Sequence, residues 1–140
     1  MTKEELFNKI NESVTLLMDS VEEQNGPYRF KDLRIFIYIL RSENSQVMMS
    51  ELSDYLNITP AAVSQLVQKY ENSGYLKRVR SQEDRRKVYI QVEEEVKENI
   101  LKEWQIRKEK FLRFLDYVGD EDGEAIYRVL NKLYEFKDLA

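Results

Sequence analysis

Apolar residues recur every three or four positions at both ends of this chain. In residues 2–23 they are Leu6, Ile10, Val14, Leu17 and Val21. That spacing places them on one face of a helix and predicts an amphipathic element. Asn25–Gly26–Pro27 supplies its stop signal. Residues 31–41 are apolar almost all the way round, which predicts a helix central to the core. A short helix follows, with Ser50 as its expected N-cap and Leu52, Tyr55 and Leu56 facing inward. Asn57–Ile58 reads as a tight exit. Thr59–Pro60 then starts another helix: the threonine oxygen accepts an otherwise unpaired N–H, and proline has no N–H to lose there. Val63, Leu66, Val67 and Tyr70 form its inner stripe, and Gly74 closes it.

The period then changes. Val88, Ile90 and Val92 alternate with Lys87, Tyr89 and Gln91, which predicts a strand over residues 87–92. Residues 75–80 make its partner, and residues 81–86 join the two. Helical spacing returns after Val92. Val96, Ile100, Trp104, Phe111, Leu115 and Val118 mark a long helix that ends at Gly119. Asp120 is the expected cap of a last helix, whose inner face is Ile126, Val129, Leu130 and Leu133, with Phe136 near its end. The expected fold is mainly α with a small β-hairpin. Helices at the two ends flank a compact middle.

Composition narrows the chemistry. The chain has 140 residues, enough for one domain with a sizeable core. It has no cysteine and no histidine. That removes disulfides, thiol redox sensing and the usual zinc ligands, and it removes the commonest general base. The 26 Asp and Glu residues sit mostly in helical charge runs such as Glu93–Glu94–Glu95, which suit a helix start. No nucleophile–base pair or phosphate-binding glycine loop is found. The expectation is a protein that is not an enzyme, with no metal and no cofactor. The longest purely apolar run, residues 35–40, is far too short to cross a bilayer. The N-terminal residues are charged and lack a signal-peptide core. A cytoplasmic protein with no membrane partner is therefore expected.

Two short helices joined by a tight turn make a helix-turn-helix, whose second helix enters the major groove in DNA-binding versions. Stepping about 100° per residue from the inner stripe, Ala61, Gln65, Gln68 and Asn72 point directly away, flanked by Ser64 and Lys69. Glutamine can contact adenine through two bonds, serine can bond several bases, and an alanine methyl can touch thymine. No acidic residue falls between Ala61 and Tyr70. The plainer alternative is a polar surface helix on a small helical domain.

Charge adds to this. The net charge is −4, yet residues 69–87 hold seven basic residues and only three acidic ones. Exposed charges are screened over roughly 8 Å at physiological salt, so this local excess outweighs a distant total. A hairpin that merely discourages edge pairing would carry scattered lysines. Here Arg85–Arg86–Lys87 are concentrated at the tip.

The run MSELSDYLNITPAAVSQLVQKYENSGYLKRVRSQEDRRKVYI, with its helix ending in ENSGYLKR and its Asp84-x-Arg86 tip, resembles the winged helix-turn-helix of the MarR (multiple antibiotic resistance regulator) family of bacterial transcription factors. The resemblance implies a homodimer on a pseudo-palindromic stretch of double-stranded DNA, with repression as the expected outcome. It implies dimerisation helices in 1–28 and 93–140 and a DNA-binding part in 31–92. The implied recognition-helix contacts are Thr59, Pro60, Ala61, Ser64, Gln65, Gln68 and Lys69. The implied wing contacts are Arg80, Ser81, Asp84, Arg85, Arg86 and Lys87. Among these, Arg86 would enter the minor groove, Asp84 would orient it, and Arg85 and Lys87 would touch phosphate. Some relatives bind a small-molecule effector between the two parts; its identity for this chain is unknown. This chain departs from the family in having Gln91–Val92 where a leucine-threonine pair often closes the second wing strand. The acidic pI of about 5.1 keeps one alternative in view, a winged-helix protein–protein adaptor that has lost DNA binding.

Overall fold

The computed structural model describes the backbone of residues 1–24 and 28–139, and their side chains outside 18–24. The Asn25–Gly26–Pro27 stop and the Val21 side chain lie outside the described residues. The chain forms two compact units, Met1–Ile100 and Leu101–Ala140.

The first unit opens with α1 (Lys3–Gln24), followed by α2 (Phe30–Arg41). Next come a short 3-10 turn at Glu43–Ser45 and a strand, β1 (Gln46–Met48). The helix-turn-helix is α3 (Met49–Leu56) and α4 (Pro60–Asn72), and the hairpin is β2 (Leu76–Arg80) and β3 (Val88–Val92). The long α5 (Glu94–Val118) starts in this unit and runs into the second, which α6 (Asp120–Leu139) completes.

The sheet has three antiparallel strands in the order β1-β3-β2, one more than the expected hairpin. β1 escapes a reading by period because it is three residues long and has one buried side chain, Val47. Val47 lies opposite Ile90, and both are fully buried. Beside them Gln91 Nε2 donates to Gln46 Oε1 at 2.9 Å, so the half-buried amides at this edge satisfy each other.

The core is built on α2. Leu33, Ile35, Phe36, Ile37 and Ile39 are all buried, as the nearly continuous apolar run predicts. Phe36 stacks on Tyr75 at 5.3 Å and meets Tyr70 edge-on at 4.9 Å. Leu52, Val63, Val67, Leu76, Val92 and Ile100 complete the packing. Tyr70 is buried and its hydroxyl donates to Asp32 Oδ1. Burial first, then the Asp32 hydrogen bond and charge, push its pKa well above the usual tyrosine value.

Two caps differ from expectation. Ser50 lies inside α3, and Met48 occupies the N-cap position. The Met48 N–H donates to Glu51 Oε1 at 3.0 Å, so the acid three residues on caps the helix instead of a serine. Asp120 lies in the first turn of α6. Gly119, at φ 86°, precedes it, and its carbonyl accepts the first helical bond from Gly123 at 2.9 Å. Asp120 still favours this helix end through its charge.

The ends of the chain look different from the middle. On α1, Leu6, Phe7, Ile10, Val14 and Leu17 are 45–64% exposed. On α6, Val129, Leu130, Leu133 and Phe136 are 58–62% exposed. No helix among the described residues is long and apolar enough to cross a membrane.

Candidate nucleic-acid interface

The turn between α3 and α4 is made locally. Asn57 adopts the left-handed conformation at φ 53°, which asparagine tolerates better than most residues. The Ile58 N–H then donates to the Ser53 carbonyl at 3.3 Å, and Ser53 Oγ donates to the Ile58 carbonyl at 2.6 Å. Thr59 caps α4 by accepting from the Ala62 N–H at 3.2 Å, with Pro60 first in the helix. At the far end Gly74, at φ 82°, donates to the Glu71 carbonyl at 3.1 Å, and Tyr75 donates to the Tyr70 carbonyl at 2.9 Å. These two bonds form a Schellman close and release the chain into β2.

This framing fixes which face of α4 is free. Val63, Val67 and Tyr70 are buried. Thr59, Pro60, Ala61, Gln65, Gln68 and Lys69 are exposed, and Ser64 is half-buried. The outward face therefore carries amides, a methyl and one ammonium, with no carboxylate before Glu71. Gln68 Nε2 donates to Asn72 Oδ1 at 3.0 Å, which leaves the Gln68 carbonyl oxygen for a partner.

The wing tip is stitched by its own backbone. Ser81 N–H donates to the Lys87 carbonyl at 2.9 Å, and Lys87 N–H donates to the Asp84 carbonyl at 2.9 Å. Asp84 N–H donates to Ser81 Oγ at 3.2 Å. The Asp84 carboxylate then takes three bonds from one residue: Arg86 N–H to Oδ1 at 3.1 Å, Nε to Oδ1 at 3.0 Å and Nη2 to Oδ2 at 3.2 Å. These bonds from the Arg86 side chain and backbone hold the Asp84 pKa below the usual carboxylate value, with a smaller contribution from Lys87. The Arg86 side chain is nonetheless 91% exposed. It is oriented without being covered. Arg85 and Lys87 are exposed on either side of it.

Two tip residues have their polar groups engaged within the wing. Arg80 Nη1 donates to the Arg85 carbonyl, and Ser81 Oγ accepts from Asp84. A further pair was not legible in the sequence: Arg78 Nε donates to Glu71 Oε1 at 2.8 Å, tying the end of α4 to β2. Opposite charges seven positions apart across a helix stop are a weak signal, because they meet only once Gly74 has turned the chain back.

Known proteins share this fold. The model of the MarR family matches residues 29–87, from the start of α2 to the wing tip. The uncharacterised HTH-type transcriptional regulator YfiV of Bacillus subtilis is 26% identical over 97 residues, 69% of this chain and 61% of the relative. This chain thus spans less than two thirds of that relative's length. The fold of AbsC, a MarR family transcriptional regulator from Streptomyces coelicolor, superposes with a TM-score of 0.75 at 21% identity, over 100% of this chain and 98% of that one. Streptococcus pneumoniae FabT, solved in complex with DNA, gives a TM-score of 0.70 at 24% identity, over 96% and 99%. The segment that resembles the MarR family model carries both the acid-free face of α4 and the oriented arginine of the wing.

Proposed function

We propose that this protein is a homodimeric, sequence-specific DNA-binding transcription regulator of the cytoplasm, a repressor and not an enzyme. The observation that carries the reading is the Asp84–Arg86 pair. A guanidinium held by two bonds yet almost fully exposed is prepared to bind something outside the chain. The pair adds little to stability, since both partners are open to water. Its use is aim. A narrow minor groove concentrates negative potential and suits an inserted arginine. Arg85 and Lys87, exposed beside it, suit the flanking phosphates.

The outward face of α4 supports base reading in the major groove. Gln65 and Gln68 offer paired donors and acceptors, Ser64 a hydroxyl, and Ala61 a methyl. Thr59 and Pro60 start the helix at the end that approaches base edges in this class of motif. Lys69 adds charge on the same side.

The open apolar faces of α1 and α6 support the dimer. Stripes this long and this exposed are uncommon on a monomer, and a second copy supplies self-complementary faces under two-fold symmetry. Two copies carry two α4 helices, so the DNA site is pseudo-palindromic, with half-sites one helical turn apart, ~10 bp. The experiment is selection of bound duplexes from a random pool, then footprinting of the winner. Two symmetric protected half-sites are expected; one unsymmetrical half-site contradicts the reading.

A further inference from the structure

We propose that Arg80 is a positioning residue of the wing, which acts on DNA only through Arg86. This rests on the DNA-binding reading above. Residue type alone would make Arg80 one more phosphate contact in a basic cluster. The geometry gives it a different task.

The peptide joining Arg85 to Arg86 is gripped at both ends. Its carbonyl, on the Arg85 side, accepts from Arg80 Nη1. Its N–H, on the Arg86 side, donates to Asp84 Oδ1 at 3.1 Å. A peptide unit is planar, with its oxygen and hydrogen on opposite edges, so gripping both resists rotation of the unit about the chain direction. That plane sets the direction in which the Arg86 side chain leaves the backbone. Asp84 grips the same arginine a second time, at Nε and Nη2.

Arg80 is well placed for this. It is the last residue of β2 and lies opposite Val88, so its backbone belongs to the sheet and not to the loop. The other tip bonds, Ser81 to Lys87 and Lys87 to Asp84, close the loop but leave the Arg85 carbonyl to Arg80. A bond from a charged donor is stronger than one between neutral groups. Without it the plane is held at one end only, and Arg86 loses a fixed origin. Its pairing with Asp84 would then travel with a mobile backbone.

Two measurements test the clamp. The first is a double-mutant cycle on a duplex selected by the wild-type protein. Arg80→Ala should weaken binding on the order of tenfold alone, from one lost charge-assisted bond, and less than about twofold in an Arg86→Ala background. The slope of log affinity against log salt should stay as in the wild type. An equal loss in both backgrounds, or a slope smaller in magnitude by about 0.9 per protomer, marks a direct phosphate contact and overturns the proposal. The second is amide hydrogen exchange in the free protein. The Arg86 N–H should exchange faster in Arg80→Ala; unchanged exchange overturns the clamp whether or not DNA binds. Absent duplex binding by the wild type, with faster exchange in the variant, sinks the DNA reading and leaves the clamp standing.

Discussion

Phe36 on α2 and Leu133 on α6 are both large apolar residues on amphipathic helices, and they have opposite fates. Phe36 is 1% exposed, packed against Tyr70 and Tyr75. Leu133 is 62% exposed. Hydrophobic spacing gives both helices an apolar face, and only the nearly all-round pattern of α2 places it in the core; for α6 the spacing does not report what covers the face. In the middle of the chain the cover is internal: α3, α4 and the sheet close over the buried residues of α2. On α1 and α6 the face is still open in a single chain. The middle is thus a finished core, and the ends carry open apolar surfaces that, in the proposed dimer, a second copy would complete.

Substitutions on the two sides should therefore fail in different ways. Phe36→Ala should cost about 3–5 kcal/mol of unfolding free energy in urea titration, independent of protein concentration. A loss under about 1 kcal/mol would mean the middle is loosely packed. Leu133→Asp should cost about 2–4 kcal/mol of dimer stability, seen as a monomer in sedimentation at concentrations where the wild type is a dimer. An unchanged mass would place the dimer contact elsewhere. Arg86→Ala should lose about 1–3 kcal/mol of duplex affinity while unfolding within about 0.5 kcal/mol of the wild type. Early melting would make Arg86 structural. Asp84 sharpens that point through its lowered pKa: the pairing is present above the ordinary carboxylate value and is lost only as pH falls through the lowered one, so duplex binding should persist across the neutral range.

Tyr70 gives the smallest effect. Its raised pKa means its contribution is complete below the ordinary tyrosine value and fades as pH rises beyond it. Raising the pH to about 11 should cost the wild type about 1 kcal/mol more than it costs Tyr70→Phe. Equal losses would mean that the hydroxyl is not buried against Asp32.

What could be read from the residues alone was what acts within a few positions. Thr59–Pro60 and Gly74 bound α4 because a cap, a fixed φ and a left-handed glycine are local devices. The alternation at Val88, Ile90 and Val92 marked β3, because one face of it is buried. β1 was missed because its existence depends on pairing with residues far along the chain, Val47 with Ile90. Met48 took the cap expected at Ser50, because Glu51 reached its N–H and composition could not say which donor an acid would find. At the wing, charge and the spacing of Asp84 and Arg86 were legible. The direction of the Arg80 guanidinium, inward to a carbonyl, needed the folded hairpin.

Binding of the wild-type protein to its selected duplex across a salt series is the most direct test that the winged middle reads DNA. If the exposed cations of two wings and two α4 helices neutralise six or so phosphates, log affinity should fall linearly with log salt, with a slope of about −5. No duplex affinity at low salt, or an affinity indifferent to salt, would contradict it.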